Sequence, residues 1–398
     1  MAKTVAEINE RIERREAVVV TADEMKEIVS GRGAAGAARD VDVVTTGTFA
    51  PMCSSALLVN TGHPTPRMKI RRAWLNGVPA SGGLAAVDLI LGATELHESD
   101  PDNRVFPGSF TYGGGHVIED LVSGKEVELR AEAYGTDCYP RRELRTLVTL
   151  RDLNTASLLN PRNCYQNYNV AVNANASRTL YTYLGVLRPG IANANFCSAG
   201  QISPLLNDPY YRTIGIGTRV FIGGGTGFVI GPGTQHSPCS ERSGRGIPLG
   251  GAGTVSIIGD LGEMSREFVR GVSMTGYGVS LALGIGIPIP ILDDEMAAFA
   301  GVCDSEILAP VVDYSRGYPE NRPEVLCSVS YAQLRSGWIE IAGKRVRTAP
   351  LSSLAGARKV AGALKGMISE GRFTITEPVE RIPGCESGIR LKPLRIRR

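Results

Sequence analysis

The sequence predicts a mixed α/β fold organised as one glycine-rich domain. Glycine accounts for 48 of the 398 residues, whereas aromatic residues make up only 6%. So much glycine in a chain without low-complexity segments indicates many tight turns and close backbone approaches. Helix-capping patterns alternate with short segments of strand character, which favours an α/β fold over a helix bundle. We expect one continuous domain over residues 1–398, with a short basic tail at residues 390–398.

Composition and charge exclude several classes of protein. The chain is 43% hydrophobic and 21% charged, and its net charge is only +3. A nucleic-acid binder is not expected, because no long basic run precedes the tail. No glycine cluster forms a clean dinucleotide or phosphate-loop motif. The charged opening MAKTVAEINERIERREA lacks the apolar core of a signal peptide. We therefore expect a cytoplasmic protein that does not associate with a membrane.

Capping and turn patterns predict three helices and one hairpin. Capping boxes at residues 4–7 and 21–24 begin two helices near the N-terminus. Ser353 caps a third helix, which ends at Gly371. Residues 338–348 read as a hairpin, because two apolar alternating runs flank an Ala-Gly turn.

One uncharged segment, residues 271–292, has membrane-spanning length, but its five glycines and two prolines argue against a lipid-embedded helix. From residue 279 to residue 291 it alternates strictly between bulky and small residues, which predicts a strand. The small face comprises Ser280, Ala282, Gly284 and Gly286. We expect close backbone packing on that face, with Pro288 and Pro290 at a sheet edge or outside the ladder.

Two cysteines stand where reactive thiols are found. Cys53 follows a predicted strand at residues 41–46 and precedes the helical-looking SSALLVN. Cys138 follows a predicted strand at residues 127–133, and Pro140 is typical of the first residue of a helix. Both cysteines are therefore predicted at strand–turn–helix junctions, where a helix N-terminus favours the thiolate.

The residues around Cys138 modify that prediction. Arg141 and Arg142 follow within one predicted helical turn and favour the thiolate, whereas Asp137 opposes it unless it caps the helix. The alternative is that the arginines face solvent and the thiol is incidental. For Cys53, the alternative is a loop cysteine that only packs.

The remaining cysteines offer fewer signals. All eight lie at least 24 residues apart, so no CxxC or zinc-ribbon spacing exists, and we expect free thiols. Cys164 and Cys197 lie in polar loops and remain candidates, and Cys239 is undecided. Three others are expected to be structural filler: Cys303, Cys327 and Cys385.

Three of the four histidines, His63, His116 and His236, lie in turn-like segments beside Gly, Thr or Pro, whereas His97 is flanked by acidic residues. A loop histidine is usually structural, yet this grouping predicts a shared pocket in which they act as acid, base or oxyanion donors.

Several long motifs together resemble the homocysteine biosynthesis family, whose members act as L-aspartate semialdehyde sulfurtransferases in anaerobes. The motifs are VDVVTTGTFAPMCSSA, YGTDCYPRRE, NPRNCYQNYN, LLNDPYYRTIGIGTRVFIGGGTGFVIGPGTQHSP, VVDYS and TAPLSSLAGARKVA. The similarity extends over residues 3–383. The resemblance implies a catalytic domain that makes homocysteine, a precursor of methionine.

The resemblance also implies two essential cysteines, Cys53 in PMCSSA and Cys138 in GTDCYPR. We expect Cys138 to carry a persulfide that Cys53 resolves as a disulfide, with Cα atoms about 4.4–6.8 Å apart, or somewhat farther before a loop closes. Oxyanion donors are expected from the glycine-rich backbone or a histidine. The candidates for binding the substrate carboxylate are Arg141, Arg162 and Arg219.

Two alternatives remain open. In the first, Cys53, Cys138 and a third loop cysteine hold an iron–sulfur cluster whose open iron carries the transferred sulfide. In the second, the protein is a non-catalytic sulfur carrier or cluster-assembly partner. The expected partners are L-aspartate semialdehyde, sulfide or a protein sulfur donor, and a ferredoxin-like protein that delivers electrons or sulfur. We also expect a homo-oligomer.

Overall fold

A computed structural model describes residues 2–318 and 322–396 of the chain. The α-helices of these residues are α1 (Val5–Glu13), α2 (Ala22–Asp40), α3 (Gly114–Val122), α4 (Pro204–Asn207), α5 (Asp294–Ala300), α6 (Tyr331–Arg335) and α7 (Leu354–Ser369). Short 3-10 turns occur at Pro101–Asn103, Leu150–Asp152, Gly200–Ile202, Leu261–Glu263 and Cys385–Ser387.

Strands outnumber helices in the described residues. The first half of the chain contributes β1 (Val19–Thr21), β2 (Val43–Thr45), β3 (Thr48–Pro51), β4 (Ala56–Asn60), β5 (Arg72–Leu75), β6 (Val78–Ser81), β7 (Asp88–Gly92), β8 (Val127–Glu132), β9 (Glu143–Val148), β10 (Thr155–Asn163), β11 (Val170–Val172), β12 (Leu180–Thr182), β13 (Gly185–Leu187) and β14 (Asn193–Phe196). The second half contributes β15 (Gly215–Ile216), β16 (Arg219–Ile222), β17 (Gly225–Pro232), β18 (Val255–Asp260), β19 (Val269–Met274), β20 (Gly278–Gly286), β21 (Pro288–Pro290), β22 (Leu308–Asp313), β23 (Glu324–Ser330), β24 (Trp338–Ile341), β25 (Lys344–Pro350) and β26 (Glu380–Arg381).

Two sheets dominate the architecture. The larger is antiparallel and runs in the order β19-β20-β16-β17-β18-β10-β4-β7-β6-β5-β8-β9, with β3 paired to β20. The smaller has six strands in the order β23-β22-β11-β14-β25-β24 and mixes parallel and antiparallel pairs. A third, three-stranded sheet joins β1, β2 and β21. The predicted mixed α/β class is confirmed.

The predicted caps are confirmed at the N-terminal helices and at α7. The side chains of Thr4 and Thr21 each accept a hydrogen bond from the backbone N–H three residues on. The carboxylates of Glu7 and Glu24 in turn accept hydrogen bonds from the backbone N–H groups of Thr4 and Thr21. Ser353 caps α7, and Gly371 follows its end with φ 73°. These signals succeed because each capping interaction is contained within four residues.

β20 is the buried strand that the alternating segment predicts. Every one of its nine residues is buried, and it pairs with β19, β16 and β3. A Cβ added at Gly284 would lie 2.8 Å from Val360 of α7, and one at Gly286 would lie 2.8 Å from the Thr46 carbonyl oxygen. The small face therefore admits α7 and a backbone segment, as predicted. Pro288 and Pro290 lie in β21, an edge strand.

The prediction that Cys53 and Cys138 lie at strand–turn–helix junctions is wrong. Cys53 lies between β3 and β4, and Cys138 lies between β8 and β9. The SSALLVN segment forms β4 because its burial alternates with a period of two residues, with Leu58 exposed between buried neighbours. No helix follows Pro140, because residues 143–148 pair with β8 along their whole length.

The expectation of free thiols is also wrong for one pair. Cys239 and Cys385 form a disulfide with Cα atoms 4.7 Å apart and 146 residues of sequence separation. Nearby, His236 Nε2 lies 2.7 Å from the Pro383 carbonyl oxygen, which ties the same two segments together. Local sequence carries no signal for a contact over that separation.

In the part of the chain that the structure describes, no helix combines the length and apolar character needed to cross a membrane. Residues 391–396 of the predicted basic tail form no regular structure, and its last two residues lie outside the described range.

We expect Gly284→Val to lower the free energy of unfolding by about 1–3 kcal/mol or to prevent folding, because the added methyl groups would enter the β20–α7 contact. The measurement is urea unfolding followed by circular dichroism. Gly231→Val is the matched control, since a Cβ at that strand glycine meets no atom within 4 Å. A Gly284→Val protein that is fully stable but inactive would instead assign the bare face to a ligand.

Candidate active site

A cavity of about 440 Å³ lies where the two large sheets meet. Its lining comes from the β3–β4 turn, the end of β10, the residues after β14, and the turns that precede β13 and β20. The volume falls within the ~300–1,000 Å³ typical of small-molecule sites. Cys53 is one of the lining residues and is half-buried.

The turn that carries Cys53 is fixed by hydrogen bonds on both sides. The backbone N–H of Met52 donates to the Leu281 carbonyl of β20 at 2.7 Å. The backbone N–H and the hydroxyl of Ser55 both donate to the Met52 carbonyl, at 3.1 and 2.9 Å. The thiol between them is therefore held at a defined position at the edge of the large sheet.

Asn160, a buried residue of β10, joins this turn to the next wall of the cavity. Its Nδ2 donates to the Ser55 hydroxyl at 2.8 Å, and its Oδ1 accepts from the backbone N–H of Arg162 at 3.2 Å. The Ser54 hydroxyl donates to the Arg162 carbonyl at 2.9 Å. Arg162 is consequently held beside Cys53, where it lines the same cavity.

Two further cysteines, Cys164 and Cys197, line this cavity. Burial raises the pKa of Cys197 to about 12, and the nearby Cys53 adds to that rise. Burial also raises the pKa of Cys164 well above that of a solvated thiol. Both residues were open candidates from their polar sequence context, and both are protonated thiols in this environment.

Sequence reasoning missed the most numerous residues of the cavity, which are tyrosines. The lining tyrosines are Tyr165, Tyr168, Tyr183, Tyr277 and Tyr318. Their rings contact one another, with centroid distances of 5.1 Å for Tyr165–Tyr168 and 6.3 Å for Tyr183–Tyr277. The NCYQNYN motif supplies two of them, but the other three come from separate turns that no local pattern connects.

The tyrosine hydroxyls form a hydrogen-bond network. The Tyr168 hydroxyl donates to that of Tyr183 at 3.0 Å, and Tyr183 is hydrogen-bonded to the hydroxyls of Tyr314 (2.8 Å) and Tyr318. Burial raises the pKa of Tyr168 and of Tyr183 far above neutrality. The network is therefore uncharged and can donate hydrogen bonds.

The charge of the cavity comes from Arg162. Among the described residues that line it, none is an aspartate or a glutamate. Burial raises the pKa of Tyr165 and of Tyr277 to about 12, and the positive charge of Arg162 opposes the rise in both. The site therefore suits an anionic group beside a thiol.

Cys138 lies elsewhere. It is exposed in the β8–β9 connection, where neighbouring Tyr139 stacks on His63 with ring centroids 5.8 Å apart. His63 follows the end of β4, whereas Cys53 precedes its start, so the two thiols lie at opposite ends of β4. A five-residue strand spans about 17 Å. The expected close approach of Cys53 and Cys138 is not found within one chain.

The three candidate histidines do not share a pocket, and none lines the cavity. His63 is exposed beside Tyr139. His116 lies in α3, stacked on Tyr112 at 5.5 Å, and burial lowers its pKa. His236 is buried, and its Nδ1 accepts from the Thr254 backbone N–H at 3.1 Å.

The other candidate residues also lie apart from the cavity. Asp137 is exposed beside Cys138. Arg141 donates to the Thr65 and Pro66 carbonyls, at 2.6 and 3.2 Å, so the guanidinium anchors a loop. Arg219 donates to the Thr374 hydroxyl at 2.8 Å. Of the three candidate arginines, Arg162 alone lines the cavity.

The donor set for an iron–sulfur cluster is not assembled. Across residues 2–318 and 322–396, no group of three or more His, Cys, Asp or Glu side chains is arranged to hold a metal ion. Within one chain the expected ligands Cys53 and Cys138 lie at opposite ends of β4, so they do not fit a single cluster.

Two known proteins are similar to nearly the whole chain. The L-aspartate semialdehyde sulfurtransferase of Methanosarcina acetivorans is 49% identical over 380 residues, covering 96% of this chain and 72% of the relative. The protein of the same name from Methanocaldococcus jannaschii is 46% identical over 398 residues, covering 97% and 74%. No solved structure matches the chain.

A family model described as "Homocysteine biosynthesis enzyme, sulfur-incorporation" matches residues 17–375. That match covers most of the chain, including the Cys53 turn and all the tyrosines of the cavity. Together with the two close relatives, it shows that this chain belongs to the family of homocysteine biosynthesis enzymes that incorporate sulfur.

Proposed function

We propose that this protein is a sulfurtransferase that converts L-aspartate semialdehyde and a reduced sulfur source to L-homocysteine. Two relatives at 46–49% identity carry the name of that activity. The observation that carries the proposal is the position of Cys53, whose thiol faces a small cavity beside Arg162. L-aspartate semialdehyde carries an aldehyde at one end and a carboxylate at the other. The aldehyde matches the Cys53 thiol, and the carboxylate matches the Arg162 guanidinium.

The stoichiometry sets what the site must supply. An aldehyde, hydrogen sulfide, two electrons and two protons give a thiol and water. Sulfide adds to the carbonyl carbon, water leaves, and the resulting thiocarbonyl takes up the two electrons. Arg162 binds the carboxylate of the substrate, because a guanidinium presents two parallel N–H donors to it.

A persulfide donor requires two more electrons than free sulfide, because its outer sulfur is at the zero oxidation level. A thiol pair supplies them: the Cys53 thiol attacks the persulfide on Cys138, a Cys53–Cys138 disulfide forms, and hydrosulfide leaves with the electron pair and the Cys53 proton. A ferredoxin-like protein then reduces the disulfide and provides the electrons for the thiocarbonyl.

The arrangement of the thiols favours exchange between two copies of the chain. Cys138 is exposed, which suits a thiol loaded by an external sulfur donor, whereas Cys53 faces the cavity. Their separation across β4 excludes direct exchange within the structure of one chain. We therefore propose a homo-oligomer in which Cys138 of one copy serves Cys53 of the next. No helix follows Pro140 to favour the Cys138 thiolate. The assignment of the persulfide to Cys138 is therefore supported by the exposure of this thiol.

We expect Cys53→Ser to reduce homocysteine formation at least 10³-fold, because a serine hydroxyl is a far weaker nucleophile at neutral pH and forms no persulfide or disulfide. The assay is anaerobic and contains L-aspartate semialdehyde, a protein persulfide donor and a reductant, with homocysteine measured by mass spectrometry. Cys327→Ser, on β23, is the matched control and should remain active. Full activity of Cys53→Ser would remove thiol catalysis at this cavity.

We expect Cys138→Ser to be inactive with a protein sulfur donor, and Cys53→Ser to accumulate persulfide on Cys138. Co-expression of the two variants should restore a measurable fraction of activity, because mixed oligomers contain one intact Cys53–Cys138 pair across the interface. Peptide mapping of the oxidised wild type checks the pairing. A Cys53–Cys197 disulfide without complementation would make Cys197, in the same cavity, the resolving thiol.

We expect Arg162→Gln to raise the KM for L-aspartate semialdehyde about 10–100-fold, since a hydrogen bond to a charged group contributes about 1.5–3 kcal/mol. Arg219→Gln is the control, because that guanidinium is bound to Thr374 away from the cavity. Steady-state kinetics separate KM from kcat. An unchanged KM in Arg162→Gln would place the carboxylate elsewhere.

A further inference from the structure

Addition of sulfur to an aldehyde leaves a negative charge on the former carbonyl oxygen, and that oxygen needs a hydrogen-bond donor. None of the histidines expected for this task lines the cavity. Tyrosine is the most frequent residue type in the lining, with five residues. Their hydroxyls are candidate donors for that oxygen.

Four of the five hydroxyls have protein partners that occupy them. The Tyr165 hydroxyl donates to Gln235 Oε1 at 3.0 Å. The Tyr168 hydroxyl donates to Tyr183, and the hydroxyls of Tyr183 and Tyr318 are bonded to each other. These contacts build the wall of the cavity and align it.

Tyr277 differs from the others in its position. It lies in the turn between β19 and β20, where its backbone N–H donates to the Met274 carbonyl at 2.9 Å. Its side chain lines the cavity with Cys53, and its ring centroid is 6.3 Å from that of Tyr183. The residue is 41% exposed, so it contacts both the cavity and the solvent.

The chemical state of Tyr277 suits a donor. Burial raises its pKa to about 12, and the neighbouring Cys53 contributes in the same direction. A phenol with that pKa keeps its proton at neutral pH, so it is able to donate that proton to an aldehyde oxygen. Water at the exposed side of the ring can return the proton after each turnover.

We propose that Tyr277 is a catalytic residue that donates a hydrogen bond and then its proton to the aldehyde oxygen when sulfur adds beside Cys53. This inference rests on the proposed function. In the step, a carbon–sulfur bond forms, the carbonyl π pair moves to oxygen, and that oxygen takes the Tyr277 proton. Water then reprotonates the tyrosinate, so the step needs no oxidant or reductant.

The variant Tyr277→Phe tests the proposal, because it removes the hydroxyl and keeps the ring. We expect kcat for homocysteine formation to fall about 10²–10³-fold, the usual effect of removing one such donor, with KM changed less than about threefold. Tyr134→Phe is the control, since that tyrosine is 69% exposed and packs on Arg71 outside the cavity. A Tyr277→Phe enzyme with wild-type kcat would overturn the assignment.

A second measurement separates this proposal from the proposed function. The rate at which iodoacetamide alkylates Cys53 needs no substrate, and loss of the Tyr277 hydroxyl beside the thiol should change it severalfold in a fully folded protein. An unchanged alkylation rate would show that the hydroxyl does not act at Cys53 and would overturn the inference. A wild type that alkylates as expected but makes no homocysteine would overturn the proposed function and the proton-transfer step with it.

Discussion

The packing of α7 against the small face of β20 is the constraint on which the architecture around the site depends. A nine-residue strand with no exposed residue must satisfy its backbone on both edges, and β19, β16 and β3 do so. Gly284 and Gly286 leave the room that Val360 and the Thr46 backbone occupy. Because β3 is held on β20 and leads directly into the Cys53 turn, the position of the thiol follows from the size of side chains on a neighbouring strand.

The electrostatics of the cavity are determined by its neutral tyrosines and by Arg162. Tyrosine hydroxyls supply polarity without charge, so Arg162 acts in surroundings that contain no competing carboxylate in the described lining. Asn160 holds that arginine and the Cys53 turn together through one buried amide. Polar contacts gain strength where water is excluded, so this single buried amide fixes the Cys53 turn relative to the backbone of Arg162.

Sequence reasoning succeeded where the signal is local. The capping boxes at Thr4 and Thr21, the cap at Ser353 and the alternation of β20 each depend on residues within one element. The predicted helix at Pro140 is wrong, because the residues that follow form six pairs with β8 and these outweigh the local preference for a helix start. The tyrosine wall and the Cys239–Cys385 disulfide depend on contacts between distant segments, and no single segment of this chain encodes them. The turn context of Cys53 is unusual for a thiol and marked it as a candidate. The structure has this residue in the cavity lining, and its catalytic role stays a prediction.

The cavity is assembled from segments that stretch from Thr48 to Tyr318, and they belong to two sheets that interleave along the chain. Chain segments far apart in sequence must therefore come together before the cavity exists, and closing such long loops has an entropic cost. Before the chain has folded, Arg162 and the five tyrosines of the cavity do not lie near Cys53. An unfolded chain therefore lacks the cavity in which the proposed chemistry of Cys53 takes place.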